Sequence, residues 1–191
     1  MWTHHPEART INLPAPWEEG RATAGAGKAA FIVGGASSVA QFAIQAARMN
    51  GFSFIVTTAS LKHEDYLKSL GATHIIDRHR ASEEVLAELK AIVGEAPVTF
   101  SYDSQGNQTT QHLAYDALSK GGGMVFVNPL KPLLDGKMRP EDRKTVVRPS
   151  GSFQLPWNHD LGLEVYKRLT GWVRDGTIVV RNFCLYDCDL D

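Results

Sequence analysis

From Ala29 to Gln45 the chain reads AAFIVGGASSVAQFAIQ, and this run constrains the fold more than any other part of it. Five apolar residues end in a Gly/Ala/Ser turn, and the turn leads directly into an amphipathic stretch of helical period. A buried strand entering a helix through small residues is the opening of a βαβ unit. The same layout holds anions. Small residues let the backbone approach a pyrophosphate, and the N–H groups and positive dipole end of the helix then hold its charge. Gly35-Ala36-Ser37-Ser38-Val39-Ala40 occupies the place of a G-x-G-x-x-G fingerprint, with only the first glycine kept. As a bare pattern it also fits a ligand-free strand-to-helix turn; the strand before it and the helix after it favour the nucleotide reading.

Strands and helices alternate from there on. The periodicity predicts a strand over 29–33 and a helix burying Val39, Phe42, Ala43, Ala46 and Ala47, closed by Gly51. A strand over 52–57, a short helix over 62–70 closed by Gly71, and a strand over 73–77 follow. Ser82 is placed to cap a helix that buries Val85, Leu86, Leu89, Ile92 and Val93 and stops at Gly94. Then come a strand over 98–102, a helix over 109–118, a strand over 124–127, a basic, proline-containing loop over 131–143, a helix over 161–175 and a strand over 177–180. Such alternation with short loops predicts an α/β fold. Its doubly wound parallel sheet, of Rossmann type, has helices on both faces. Residues 1–28 read as a lead segment, 29–183 as the nucleotide-binding domain and 184–191 as a tail.

The end of the second strand bears on which nucleotide would be held. Thr57-Thr58-Ala59-Ser60-Leu61-Lys62-His63 contains no acidic residue. A carboxylate there would bind the ribose 2′-hydroxyl of NADH; a hydroxyl at Ser60 and the ammonium of Lys62 suit a 2′-phosphate instead, with His63 beside them reading equally as a site residue or a surface histidine. NADPH is therefore the expected cofactor. Lys62 on its own also reads as a solvated first-turn lysine. Arg78, after the third strand, is placed either to stack on adenine or pair with that phosphate, or simply to face water. Asp103-Ser104 and Val127-Asn128 follow the fourth and fifth strands at the crevice where a nicotinamide would lie. Asp103 reads equally as a turn or capping residue.

The chain has 191 residues and a formal net charge of −1. Bulk electrostatics gives no case for a nucleic-acid partner or a membrane surface. No apolar run approaches the ~20 residues of a membrane helix, and the N-terminal residues lack the pattern of a signal peptide. The expectation is a cytoplasmic protein acting on a small molecule. Cys184 and Cys188 read as free thiols, with a disulfide or metal role as the alternative; no metal site is expected. There is no G-x-S-x-G, no H-E-x-x-H and no acid/base pair, so no catalytic residue is assigned. A methyltransferase-like domain is the rival α/β reading. It would want an acidic residue where Thr58–Ser60 has none.

The segments GGASSVAQFAIQ (34–45), TTAS (57–60) and KSLGATHIID (68–77) resemble the zinc-independent branch of the medium-chain dehydrogenase/reductase superfamily. The likeness is to quinone-oxidoreductase-like proteins and fungal trans-acting enoyl reductases, with Ala40 in place of the usual glycine and Arg78 where the fungal proteins usually have Tyr. The resemblance implies hydride transfer from NADPH to an α,β-unsaturated carbonyl. It also implies contact of the backbone at Val127 and Asn128 with the nicotinamide carboxamide. In that family the substrate lies between the nucleotide domain and a GroES-like β domain. This chain starts at the family's Leu13-Pro14-Ala15-Pro16-Trp17 stretch, so it is expected to be the cofactor domain alone, completed by a homodimer or a partner. The alternative is a non-catalytic nucleotide-binding module.

Overall fold

A computed structural model describes residue 11, residues 13–128 and residues 132–180. Six parallel strands form one sheet in the order β3-β2-β1-β4-β5-β6: β1 Ala29–Val33, β2 Phe54–Ala59, β3 His74–Asp77, β4 Val98–Asp103, β5 Gly123–Phe126 and β6 Thr145–Val147. The chain winds outward from β1 in one direction, returns to it, and winds outward in the other. This is the doubly wound order, and it leaves a switch point between β1 and β4. The expected α/β class and Rossmann architecture are thus the ones found.

All five residues of β1 are buried, which follows from its place at the centre with helices on both faces. Its side chains alternate between two cores. Ala30 and Ile32 join Ala40, Ala43, Ile44 and Ala47 of α1 (Ser38–Met49) and Leu67 and Leu70 of α2 (Glu64–Leu70). Ala29, Phe31 and Val33 face Val85, Leu89 and Val93 of α3 (Ser82–Val93) and Leu113 and Ala114 of α4 (Gln108–Ala117). The expected core face of α3 is confirmed, with Leu86 and Ile92 partly buried at its margin.

The face of α1 is a correction. Its buried stripe is Ala40, Ala43, Ile44 and Ala47, whereas Val39 and Phe42 stand 45% and 46% exposed and Ala46 is exposed. Residues 39–47 are apolar at all but two positions, so two overlapping helical stripes fit them equally well. Close approach to Ala30 and Ile32 selects the stripe with the smallest residues, and the two polar positions, Gln41 and Gln45, are buried as well.

The C-terminal part differs too. Residues 177–180 form no strand; the sixth strand is β6, paired in parallel with β5. The β-branched run Ile178-Val179-Val180 has strand propensity, but its backbone is taken by side chains of α1. The Val179 N–H donates to Gln45 Oε1 (2.7 Å), Gln45 Nε2 donates to the Val179 carbonyl (3.1 Å), and Arg48 donates to the Thr177 carbonyl (2.6 Å). The last helix, α5 (Pro156–Arg174), starts earlier than its periodicity indicated, with Pro156 in its first turn. Trp172 on α5 stacks on Trp17 at 6.2 Å between centroids. Cys184 and Cys188 lie outside the described residues, as do Met1 and the other residues of 1–10.

Candidate functional site

The turn from β1 to α1 is built from two consecutive glycines doing different things. Gly34 has φ +82°, a conformation that L side chains rarely adopt, and its N–H donates to Thr58 Oγ1 (3.1 Å). Gly35 has ordinary dihedrals but no room: a Cβ there would stand 2.9 Å from Thr57 Cγ2 and closer still to Thr57 Oγ1. The Ser37 hydroxyl caps α1 by accepting from the Ala40 N–H (3.3 Å). Gln41 Nε2 donates to the Ala36 carbonyl (2.9 Å), and Tyr66 of α2 donates to Gln41 Oε1 (3.0 Å), so both helices on this face hold the turn. Ser38 and Val39 are the first two residues of α1, and their amides have no acceptor within the helix.

A cleft of about 610 Å³ opens at the carboxyl ends of the strands, beside this turn. One side is lined by Ser60, Lys62 and His63 after β2 and by Arg78 and Arg80 after β3. Lys62 and His63 sit in a single 3-10 turn, Leu61–His63. The Arg78 N–H donates to the Ala59 carbonyl (3.1 Å), which ties the two strand ends together. Arg80 pairs with Glu88 of α3. The other side is lined by Gln105, Asn107, Thr109, Thr110 and Leu113, from the β4–α4 loop and α4. Among the described residues, the basic side chains Lys62, Arg78 and Arg80 line the cleft, and no aspartate or glutamate does.

The wall after β4 is organised by Asp103, which is fully buried. Its two carboxylate oxygens accept from the Gln105 and Gly106 amides, each at 3.0 Å. This is a turn built on an aspartate side chain, the structural reading of that residue. The Ser104 hydroxyl lies 2.8 Å from the Val33 carbonyl and locks this loop to the end of β1. Burial pushes the Asp103 carboxyl above the ordinary range for aspartate, and the two amides pull back against it. Because the folded pKa exceeds the unfolded one, the native state binds more protons in the interval between them, and stability falls as pH rises through that interval. Asp103→Asn is expected to remove that part of the slope, measured as urea midpoints of both proteins over a pH series from the ordinary aspartate range upward.

Of the residues singled out from the sequence, Ala36, Ser37, Ser60, Lys62, His63 and Arg78 line this one cleft. Gly35 lies beneath it, buried against β2, and Ser38 and Val39 open the adjoining helix. Val127 and Asn128 do not line it; the Asn128 carbonyl accepts from Gln111 Nε2 (3.0 Å). Sequence reasoning missed Thr58, Arg80, Gln105, Asn107, Thr109 and Thr110. Asn107 and Thr110 carried a readable signal, since N-x-x-T at the start of a helix is a capping pattern: Asn107 Oδ1 accepts from the Thr110 N–H (3.0 Å). Arg80 and Gln105 carried none.

The family model described as zinc-binding dehydrogenase matches residues 38–139. The chain belongs to the zinc-binding dehydrogenase family. A zinc-type alcohol dehydrogenase-like protein of Schizosaccharomyces pombe is 27% identical over 180 residues, covering 88% of this chain and 51% of that one. A trans-enoyl reductase of Aspergillus japonicus is 34% identical over 113 residues, covering 59% of this chain and 31% of that one. The crystal structure of Escherichia coli quinone oxidoreductase complexed with NADPH matches with a TM-score of 0.61. It is 24% identical and covers 80% of this chain and 47% of that one, a likeness that shows the fold. The chain thus spans about half the length of the first relative and under a third of the second. The resemblance to a medium-chain dehydrogenase/reductase nucleotide-binding domain, read from three short motifs, is upheld. The family's name refers to zinc, but among the described residues no three His, Cys, Asp or Glu side chains come together to hold a metal ion.

Proposed function

We propose that the cleft binds NADPH and that the chain is the cofactor domain of a reductase acting on an α,β-unsaturated carbonyl, of enoyl or quinone type. The observation that carries the reading is the set of three cations, Lys62, Arg78 and Arg80, the last shared with Glu88 of α3, with no carboxylate among the described lining residues. A 2′-phosphate is attracted by that set, and a ribose 2′-hydroxyl finds no acidic partner there. The amides of Ser38 and Val39 and the positive end of α1 hold the pyrophosphate. Ser60 donates to the phosphate or ribose, His63 flanks it, and the backbone at Val127 and Asn128, beyond the lining of this cleft, meets the carboxamide where the dinucleotide crosses to the β4–β5 side. NADPH, when bound, supplies the hydride; the chain's own residues position it and exclude water. The relatives named a trans-enoyl reductase and an NADPH-complexed quinone oxidoreductase support this class of reaction. A non-catalytic nucleotide-binding module is favoured by one observation: among the described residues that line the cleft there is no acidic residue or tyrosine, and the one histidine, His63, is assigned to the phosphate end.

The test is titration with NADPH and NADH, followed by nicotinamide fluorescence. NADPH is expected to bind more tightly by about 1–3 kcal/mol, the range of charge-assisted contacts. Replacing both Lys62 and Arg78 with Ala should erase most of that difference while leaving NADH affinity within about twofold. Equal affinity for the two nucleotides in the unaltered chain overturns the assignment. Oxidation of NADPH by simple enones or quinones separates the reductase from the non-catalytic module.

A further inference from the structure

Gln111 is fully buried on α4, and the proposed function gives it no role. Its carboxamide holds two points of the chain after β5. Nε2 donates to the Asn128 carbonyl (3.0 Å), and Oε1 accepts from the Leu133 N–H (2.7 Å). Asn128 is also packed against Gly106. A Cβ on Gly106 would fall 2.8 Å from Asn128 Cβ, so the absence of a side chain at Gly106 lets the β4–α4 loop lie directly against it. That loop is itself held by Asp103 through the Gln105 and Gly106 amides. Asn128 is therefore in contact with both an anchored loop and a buried amide.

The same turn of α4 faces the cleft with Thr109, Thr110 and Leu113. One rigid element thus sets both the cleft wall and the backbone at the end of β5. The cations lie at the ends of β2 and β3, across the switch point from β4 and β5. A dinucleotide whose adenosine phosphate sits among the cations has its second nucleoside on the β4–β5 side.

We infer that Gln111 is a positioning residue for the nicotinamide half of the cofactor: it fixes the Asn128 backbone that this half meets, through its amide hydrogen bonds to Asn128 and Leu133. The inference rests on the NADPH reading above. A buried amide with both ends engaged is suited to this task, because loss of either bond strands a backbone group and moves the loop. It predicts a split between ligands. Adenosine 2′,5′-bisphosphate, which has no nicotinamide, should not sense Gln111, whereas NADPH should.

The experiment compares binding of NADPH and of adenosine 2′,5′-bisphosphate to the full chain by calorimetry. Gln111→Glu keeps an acceptor for Leu133 but loses the donor to Asn128. Gln111→Met keeps the volume, adds no charge, and tests the idea if the Glu variant does not fold. Either variant is expected to weaken NADPH about tenfold and to leave the bisphosphate within twofold. A merely structural role would weaken both ligands alike, and that result overturns the inference. So does retention of NADPH affinity within twofold. If the unaltered chain binds the bisphosphate but Gln111 variants show no split, the inference alone fails. If it binds neither ligand, the cofactor reading fails with it.

Discussion

Ser38→Asp is expected to abolish nucleotide binding while making the empty protein slightly more stable. Ser38 is the exposed first residue of α1, and its amide belongs to the helix end proposed to hold a pyrophosphate. A carboxylate there complements the helix dipole and should stabilise the fold by about 0.3–1 kcal/mol. Against a bound pyrophosphate the same charge is repulsive, by about 4 kcal/mol for unit charges about 4 Å apart at an effective dielectric near 20. That is about a thousandfold in Kd. Ser38→Asn, of the same size but neutral, should bind nearly as the parent does. Thermal unfolding and NADPH titration on the three proteins check both halves of this expectation. An Asp variant that is folded and still binds normally would place the pyrophosphate elsewhere.

Gly35→Ala is expected to destabilise the domain by about 1–3 kcal/mol, as overpacking of a filled core does. The cause is not backbone strain, since Gly35 has no left-handed φ. The added methyl meets Thr57, which is fully buried and donates through Oγ1 to the Ile32 carbonyl at 2.6 Å. Relief must then come from β2. In a Thr57→Ala background the same substitution should cost at least about 1 kcal/mol less, the coupling typical of residues in contact. Urea unfolding of the four proteins of this cycle measures it; additive costs would show that the methyl is accommodated by the turn rather than refused by the strand.

The legible parts of the fold were those in which local chemistry and tertiary packing agree. β1 is reproduced residue for residue, because an apolar run bounded by Lys28 and Gly34 has only one way to lie in a covered parallel sheet. Gly51, Gly71 and Gly94 sit at or beside helix ends with positive φ, where only a residue without Cβ is comfortable. The illegible parts were set by partners distant in sequence. Nothing near residue 179 announces that its backbone will be paired by Gln45, and Thr145-Val146-Val147 is a weaker strand signal than Ile178-Val179-Val180. In the cleft, the residues legible beforehand follow β1, β2 and β3, where spacing from a strand end has chemical meaning. Arg80 and Gln105 enter through loop geometry, which the local sequence does not encode.

The strand order also sets a sequence of events during synthesis. β1, β2 and β3, with α1 and α2, share one apolar cluster that, among the described residues, draws only on Phe100, Tyr102 and Val125 from later in the chain. They can gather as soon as residue 77 has emerged. The opposite edge of β1, five buried apolar residues long, stays open until β4 is made and Val98 reaches Ala29. For that interval the future centre of the sheet is an exposed edge, the kind of surface on which nascent chains associate. The central strand of the finished protein is thus the most vulnerable strand of the unfinished one. A ribosome-associated chaperone would be most useful to this chain between the completion of β3 and the arrival of β4.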